Sequence, residues 1–224
     1  GESDYLSAAG IREDIRDILA ALEMPYELLA ELAAHARQRR IEFMAAAFSV
    51  EDARAVDPHV KVHKIASYEL SHLRLLEYIA ATGKPVIMST GAARREDIAQ
   101  ALALLRDRGG GPVALMQCTA AYPAPPDAMN LRAVARLAAD FGVVTGLSDH
   151  SADEVAAPAA AVALGAKVIE KHFTLDRRLP GPDHPYAVEP EGLKKMVATV
   201  RLVEQMLGSG EKVVQPAEEE LFHY

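Results

Sequence analysis

Six short, almost uninterrupted apolar runs, separated by stretches of helical periodicity, constrain this chain more than any other feature. The runs are Ile41–Phe48, Val60–Ala66, Pro85–Ser89, Val113–Cys118, Val143–Leu147 and Lys167–Phe173. Helical patterns cover Val50–Val56, Leu70–Thr82, Arg95–Arg108, Asn130–Phe141 and Ala152–Leu164, and a last one covers Glu191–Leu207. Runs without apolar/polar alternation suit strands buried on both faces, and strands alternating with helices imply βαβ crossovers and a parallel sheet. Gly83, Gly109, Gly142, Gly165 and Gly208 follow helical stretches, where a left-handed residue closes a helix. Ser151-Ala-Asp-Glu154 has the spacing of a capping box. Two amphipathic helices precede the alternation. One carries Ile11, Ile15, Ile18, Leu19 and Leu22; the other runs from Tyr26 to Arg39 with Leu28, Leu29, Leu32 and Ala33 on its inner face.

Two α/β architectures fit: an open doubly wound sheet, and a (β/α)8 TIM barrel with two units missing. The glycine triplet Gly109–Gly111 precedes a strand instead of following one, so the dinucleotide fingerprint is absent. Polar residues gather at the carboxyl ends of the runs, where barrel enzymes place their chemistry, and this favours the barrel. A complete barrel takes roughly 250 residues. A chain of 224 residues with six such runs therefore reads as an incomplete one.

Composition narrows the function. A net charge of −8 argues against a nucleic-acid binder, which needs a basic face for phosphates. The single cysteine, Cys118, excludes an internal disulfide and a multi-cysteine metal site, and fits a reducing cytoplasm. The small-apolar stretch Ala156–Ala166 is broken by Pro158 and too short to span a bilayer, and the start GESDYLSAAG lacks the pattern of a secretory signal. Neither nucleic acid nor membrane is an expected partner.

The chemistry-bearing residues sit at the run ends. In Lys167–Phe173, alternation puts Val168, Glu170 and His172 on one face and Ile169, Lys171 and Phe173 on the other. Buried polar groups need partners, so Glu170 and His172 either bond each other or serve a site. The preceding run ends in Ser148-Asp-His150. With the strands adjacent, His150 and His172 project together, and two imidazoles completed by water and substrate oxygens suit a divalent cation. Lys64 and Ser67, Ser89 and Thr90, and Thr119 and Tyr122 follow three other run ends. A strand lysine among hydroxyls is either an anion cradle or a snorkelling surface group. The loop Leu179-Pro-Gly-Pro-Asp-His-Pro185 is stiff enough to hold Asp183 and His184 near the site, or is a plain surface turn.

Lys64-Ile-Ala-Ser67, Ser89-Thr-Gly91, Cys118-Thr119 with Tyr122-Pro123, Gly146-Leu-Ser-Asp-His150, and Ile169-Glu-Lys-His-Phe-Thr-Leu-Asp176 with Gly181-Pro-Asp-His184 together resemble the N-acetylneuraminate (sialic acid) synthase family, from about Ile41 to Leu207. The resemblance implies one TIM-barrel-type synthase domain over 1–224, with leading helices at 1–40, six strand/helix units at 41–207 and a tail at 208–224. It implies a homodimer that condenses phosphoenolpyruvate with the aldehyde of an N-acetylated amino sugar, of the N-acetylmannosamine type, to a nine-carbon 2-keto sugar acid and phosphate. By motif, His150 and His172 are the expected metal ligands, for Mn2+ with Mg2+ or Zn2+ as alternatives. Lys64, Ser67, Ser89 and Ser148 match phosphoenolpyruvate-binding positions, and Tyr122, Glu170 and Asp183 match positions near the sugar and the reacting carbons.

The pattern also departs from the family. Two leading βα units, with a catalytic Glu and a phosphate-contacting Lys, and a small C-terminal antifreeze-like domain are expected but not found. Ala46 and Ala120 stand where the family has polar residues. A related nonulosonic acid as product shares the same motifs. Other readings are a non-catalytic relative that keeps the imidazole pair for ligand binding or assembly, and a metal-dependent aldolase acting on pyruvate.

Overall fold

A computed structural model describes residues 20 and 22–223, so the first expected helix, from Ile11 to Leu22, falls largely outside the described residues. Helix α1 (Glu27–Gln38) follows the second expected amphipathic pattern and buries Leu29, Ala33 and Ala36. Leu28 and Leu32, expected on the inner face, are exposed at its margins. Helix α2 (Val50–Val56) starts at Ser49, whose Oγ accepts from Asp52 N at 3.0 Å.

A parallel sheet then forms from β1 (His63–Ile65), β2 (Val86–Ser89), β3 (Val113–Cys118), β4 (Val144–Asp149) and β5 (Val168–Lys171), paired in chain order. Helices α3 (Leu73–Ala81), α4 (Arg95–Asp107), α5 (Ala133–Phe141) and α6 (Ala156–Ala163) make the crossovers, and α7 (Pro190–Met206) follows β5. The sheet curls into a half-barrel. Five strands are present among the described residues, not six. The run Ile41–Phe48 makes a single bridge, Ala46 with Lys64. Its alanine triplet has little side chain to pack on a pleated surface, and Ile41 and Phe48 remain exposed.

Strand alternation decides which residues meet the helices. Ile65, Val86, Met88 and Leu115 pack with Leu75, Leu76, Ile79 and Leu105 in one core. Leu147 packs with Val134, Ala157 and Ala161 in a second, and Ile169 lies against it. Residues one position away on each strand point to the opposite, concave face.

Two local details correct the sequence reading. Helix α6 begins at Ala156 instead of Ala152. Pro158 cannot donate a backbone hydrogen bond, and a start at Ala156 leaves it in the first turn, where no donor is required. The expected capping box does not form: Asp153 Oδ1 accepts from Val155 N at 2.8 Å and from Ala156 N at 2.5 Å, while Glu154 pairs with Arg177 at 3.2 Å. Gly142, at φ 63°, closes α5 as expected. No helix among the described residues is long and apolar enough to cross a membrane.

Candidate active site

The concave face at the carboxyl ends of the strands collects most of the residues singled out above. Lys64, in the middle of β1, is 8% exposed, so it does not snorkel. Its Nζ donates to Ser89 Oγ at 2.9 Å and to Ile65 O at 3.2 Å, and lies 3.4 Å from Glu170 Oε2. Ser148, the cross-strand neighbour of Glu170, donates its hydroxyl to Glu170 Oε1 at 2.8 Å. One connected set therefore runs from β2 through β1 to β5 and β4: Ser89, Lys64, Glu170, Ser148. A buried ammonium left alone is costly, and the half-exposed carboxylate together with the hydroxyl compensates it.

Ser67 stands apart from that chain of contacts. Its Oγ accepts from Gly91 N at 2.9 Å and donates to Cys118 Sγ at 3.4 Å. A Cβ on Gly91 would lie 2.8 Å from Ser67 Oγ and 2.9 Å from Cys118 Sγ, so the close approach requires glycine. Burial opposes ionisation of the Cys118 thiol, but hydrogen bonds from His150 and Ser67 outweigh it and hold the thiol below its ordinary value. The Thr90 and Thr119 hydroxyls donate to the Met116 and Ala128 carbonyls, at 2.8 and 2.9 Å, and take no part in a cradle around Lys64.

His150 and His172 meet as expected for adjacent strand ends, with ring centroids 5.2 Å apart and planes at 75°. His150 Nδ1 lies 2.9 Å from the Thr119 carbonyl. A carbonyl only accepts, so Nδ1 carries the proton and Nε2 the lone pair. His172 Nδ1 lies 3.3 Å from Asp183 Oδ2, which selects the same tautomer. The Glu170–His172 bond considered above is not formed; each side chain takes a different partner. The Pro-rich loop does bring Asp183 to the site, while His184 bonds Thr174 Oγ1 at 2.7 Å. Tyr122 lies over the pair, its ring 4.3 Å from His150 and 6.2 Å from His172. A cavity of about 250 Å3 opens beside His172, Phe173, Pro182 and Asp183.

Tyr186 is a site residue that the sequence reading missed. Its hydroxyl donates to Asp183 Oδ1 at 2.7 Å, and its ring sits 5.2 Å from His172. The available signal was Pro185, which favours a short turn and sets Tyr186 three residues after Asp183.

Among the described residues, no group of three or more His, Cys, Asp and Glu side chains is placed to hold a metal ion. The imidazole pair nonetheless fits one. Each Nδ1–H is held by an oxygen acceptor, the arrangement that orients a metal-ligating histidine and raises the basicity of its other nitrogen.

A parallel α/β sheet thus gathers a compensated buried lysine, a carboxylate and two tautomer-fixed imidazoles at its strand ends, where sheets of this class place their ligand sites. The chain belongs to the NeuB family, whose model matches residues 2–212. It is 41% identical over 221 residues to the spore coat polysaccharide biosynthesis protein SpsE of Bacillus subtilis, covering 97% of this chain and 58% of that protein. It is 37% identical over 201 residues to the N,N'-diacetyllegionaminic acid synthase of Campylobacter jejuni, covering 88% of this chain and 60% of that protein. The chain thus spans little more than half the length of these curated relatives. Among solved structures, it is similar to the N-acetylneuraminic acid (sialic acid) synthetase of Leptospira borgpetersenii in complex with citrate. That match has a TM-score of 0.88 and 30% identity and covers 99% of this chain and 77% of the other.

Proposed function

We propose that this chain forms part of a (β/α)8 barrel that condenses phosphoenolpyruvate with the open-chain aldehyde of an N-acetylated amino sugar, giving a nine-carbon 2-keto sugar acid and phosphate. The observation that carries the reading is the set Ser89–Lys64–Glu170–Ser148 beside the His150/His172 pair on one concave face. Lys64 supplies the buried positive charge for an anionic donor, with the Ser89 and Ser148 hydroxyls beside it and Ser67 at the margin. Holding donor and acceptor in attack geometry is worth about 7–11 kcal/mol in well-oriented systems. His150 and His172 would hold a divalent cation, Mn2+ first, which when bound supplies a Lewis acid to polarise the aldehyde oxygen. The C2–C3 π pair of phosphoenolpyruvate forms the new bond from C3 to the aldehyde carbon, and C2 is left electron-poor. The carbonyl π pair moves onto the aldehyde oxygen, which takes a proton from solvent to become a hydroxyl. Glu170, fixed by Ser148 and Lys64, orients the water that adds to C2 and accepts its proton. The C2–O bond to phosphate then breaks, phosphate leaving with the bridging oxygen and the electron pair; the added hydroxyl gives its proton to the departing phosphate, and C2 becomes the keto carbon. Asp183 holds the Nδ1–H of His172, and Tyr122 lines the sugar side.

Incubation of the full chain with phosphoenolpyruvate, Mn2+ and a panel of N-acetyl hexosamines tests this. We expect phosphate release with at least one sugar, N-acetylmannosamine foremost, and none without sugar. We also expect Mn2+ to raise the melting temperature of the wild type but not of His150→Ala/His172→Ala. A folded chain that releases no phosphate with any sugar would sink the proposal, and a keto acid formed from pyruvate and the sugar without phosphate release would point to a pyruvate aldolase instead.

A further inference from the structure

One buried ion pair takes no part in the chemistry above. On the helix-covered face of β4 and β5, Lys171 Nζ lies 2.7 Å from Asp149 Oδ2, with side chains 3% and 0% exposed. The two residues are direct cross-strand partners, and theirs is the last register pair between these strands. Lys171 Nζ also donates to Ser151 O at 2.7 Å, and Asp149 Oδ1 accepts from Ser151 N at 2.8 Å. Removing both charges from water costs several kcal/mol per ion, and apolar residues of similar volume commonly serve stability as well or better. Stability alone therefore gives this pair no evident purpose. Its position does: Asp149 and Ser151 flank His150, and Lys171 immediately precedes His172.

We infer that the Asp149–Lys171 pair is a positioning latch that sets the spacing and tilt of the His150 and His172 rings. The inference rests on the proposed reading of those imidazoles as a cation-binding pair. Three bonds gather Asp149, Ser151 and Lys171 into one closed set, so the backbone on both sides of His150 is tied to the residue before His172. Beyond Lys171 the ladder to β4 ends, and without the latch the two strand tips can separate while the rest of the sheet stays paired. A loss of alignment of that size matters at a metal site, where outer-shell partners typically change affinity by about 10–100-fold.

The test uses the full chain and two double variants. Asp149→Asn/Lys171→Met removes the cross-strand bond without stranding a buried charge, and the asparagine carbonyl still accepts from Ser151 N. Asp149→Asn/Lys171→Gln puts back a neutral cross-strand hydrogen bond. In metal-free protein, imidazole nitrogen NMR of the wild type is expected to give one signal set for each ring, both as Nδ1–H tautomers. The Asn/Met variant is expected to fold, to broaden or double those signals, and to bind Mn2+ about 10–100-fold more weakly by calorimetry; the Asn/Gln variant recovers most of both. Unchanged ring signals and Mn2+ affinity in the Asn/Met variant would overturn the latch. Failure of both variants to fold would also overturn it, because the pair would then be holding the sheet and not the rings. If the wild type binds no Mn2+, the cation reading fails, and the ring spectra still decide the latch.

Discussion

The concave and helix-covered faces of the same strands treat polar residues in opposite ways. His63 and Lys64 are neighbours on β1, Ser148 and Asp149 on β4, and Glu170 and Lys171 on β5. On the concave face, Lys64, Ser148 and Glu170 form an open network whose carboxylate side chain is 41% exposed. On the covered face, Asp149 and Lys171 bond each other out of contact with water, and His63, 1% exposed, bonds Asp57 at 3.0 Å. Both networks are fully partnered, but only the first can exchange a partner for a ligand. The second can only hold backbone in place. Charge in a strand is thus not a mark of chemistry; the face it occupies decides.

Adjacent substitutions on β5 test that division most strongly. Glu170→Gln is expected to lower kcat by about 10²–10⁴-fold, the usual contribution of a positioned acid or base. It should cost less stability than breaking a fully buried pair, because the carboxylate is 41% exposed and Lys64 keeps Ser89 Oγ and Ile65 O as partners. Steady-state phosphate release together with a denaturant titration reads both quantities, and an unchanged kcat would remove Glu170 from the chemistry. Lys171→Met leaves Asp149 buried and unpaired, and should cost about 3–5 kcal/mol of unfolding free energy. A loss below about 1 kcal/mol in urea melts would mean that water reaches the pair.

The smallest effect is one of pH. Burial pushes His63 below its ordinary value of 6.5, against the opposing pull of Asp57. The folded state therefore takes up a proton less readily than the unfolded chain. As pH falls below about 6.5 the unfolded chain binds more protons, and stability drops until the folded His63 titrates. The Asp57 carboxyl, desolvated but held low by Lys84 and His63, continues the loss in more acidic solution. His63→Gln should flatten the slope of unfolding free energy just below pH 6.5 by up to about 1.4 kcal/mol per pH unit, the value for one proton. An unchanged slope in urea titrations across that range would place His63 in contact with solvent.

Much of this was legible in the chain itself. Val113–Cys118 and Val50–Val56 were read to the residue, and the helices after β1, β2 and β3 within a few positions, because apolar periodicity reports burial and positive-φ glycines mark helix ends. The meeting of His150 and His172 followed from two polar strand ends in neighbouring units. The run Ile41–Phe48 makes only the Ala46–Lys64 bridge, because its alanine triplet offers little side chain to pack on a pleated surface. The helix start at Ala152 failed because the need to place Pro158 in a first turn was stronger than the local capping pattern.

Local sequence determined a parallel α/β sheet with its polar residues at the strand ends, since side-chain alternation and helix periodicity are properties of a few neighbouring residues. Tertiary structure alone decided which partner each polar group took: Glu170 with Lys64 and not with His172, Asp149 with Lys171, and Tyr186 with Asp183. Hydrogen bonds and ion pairs act over about 3 Å, and only register and loop closure bring residues tens of positions apart to that distance.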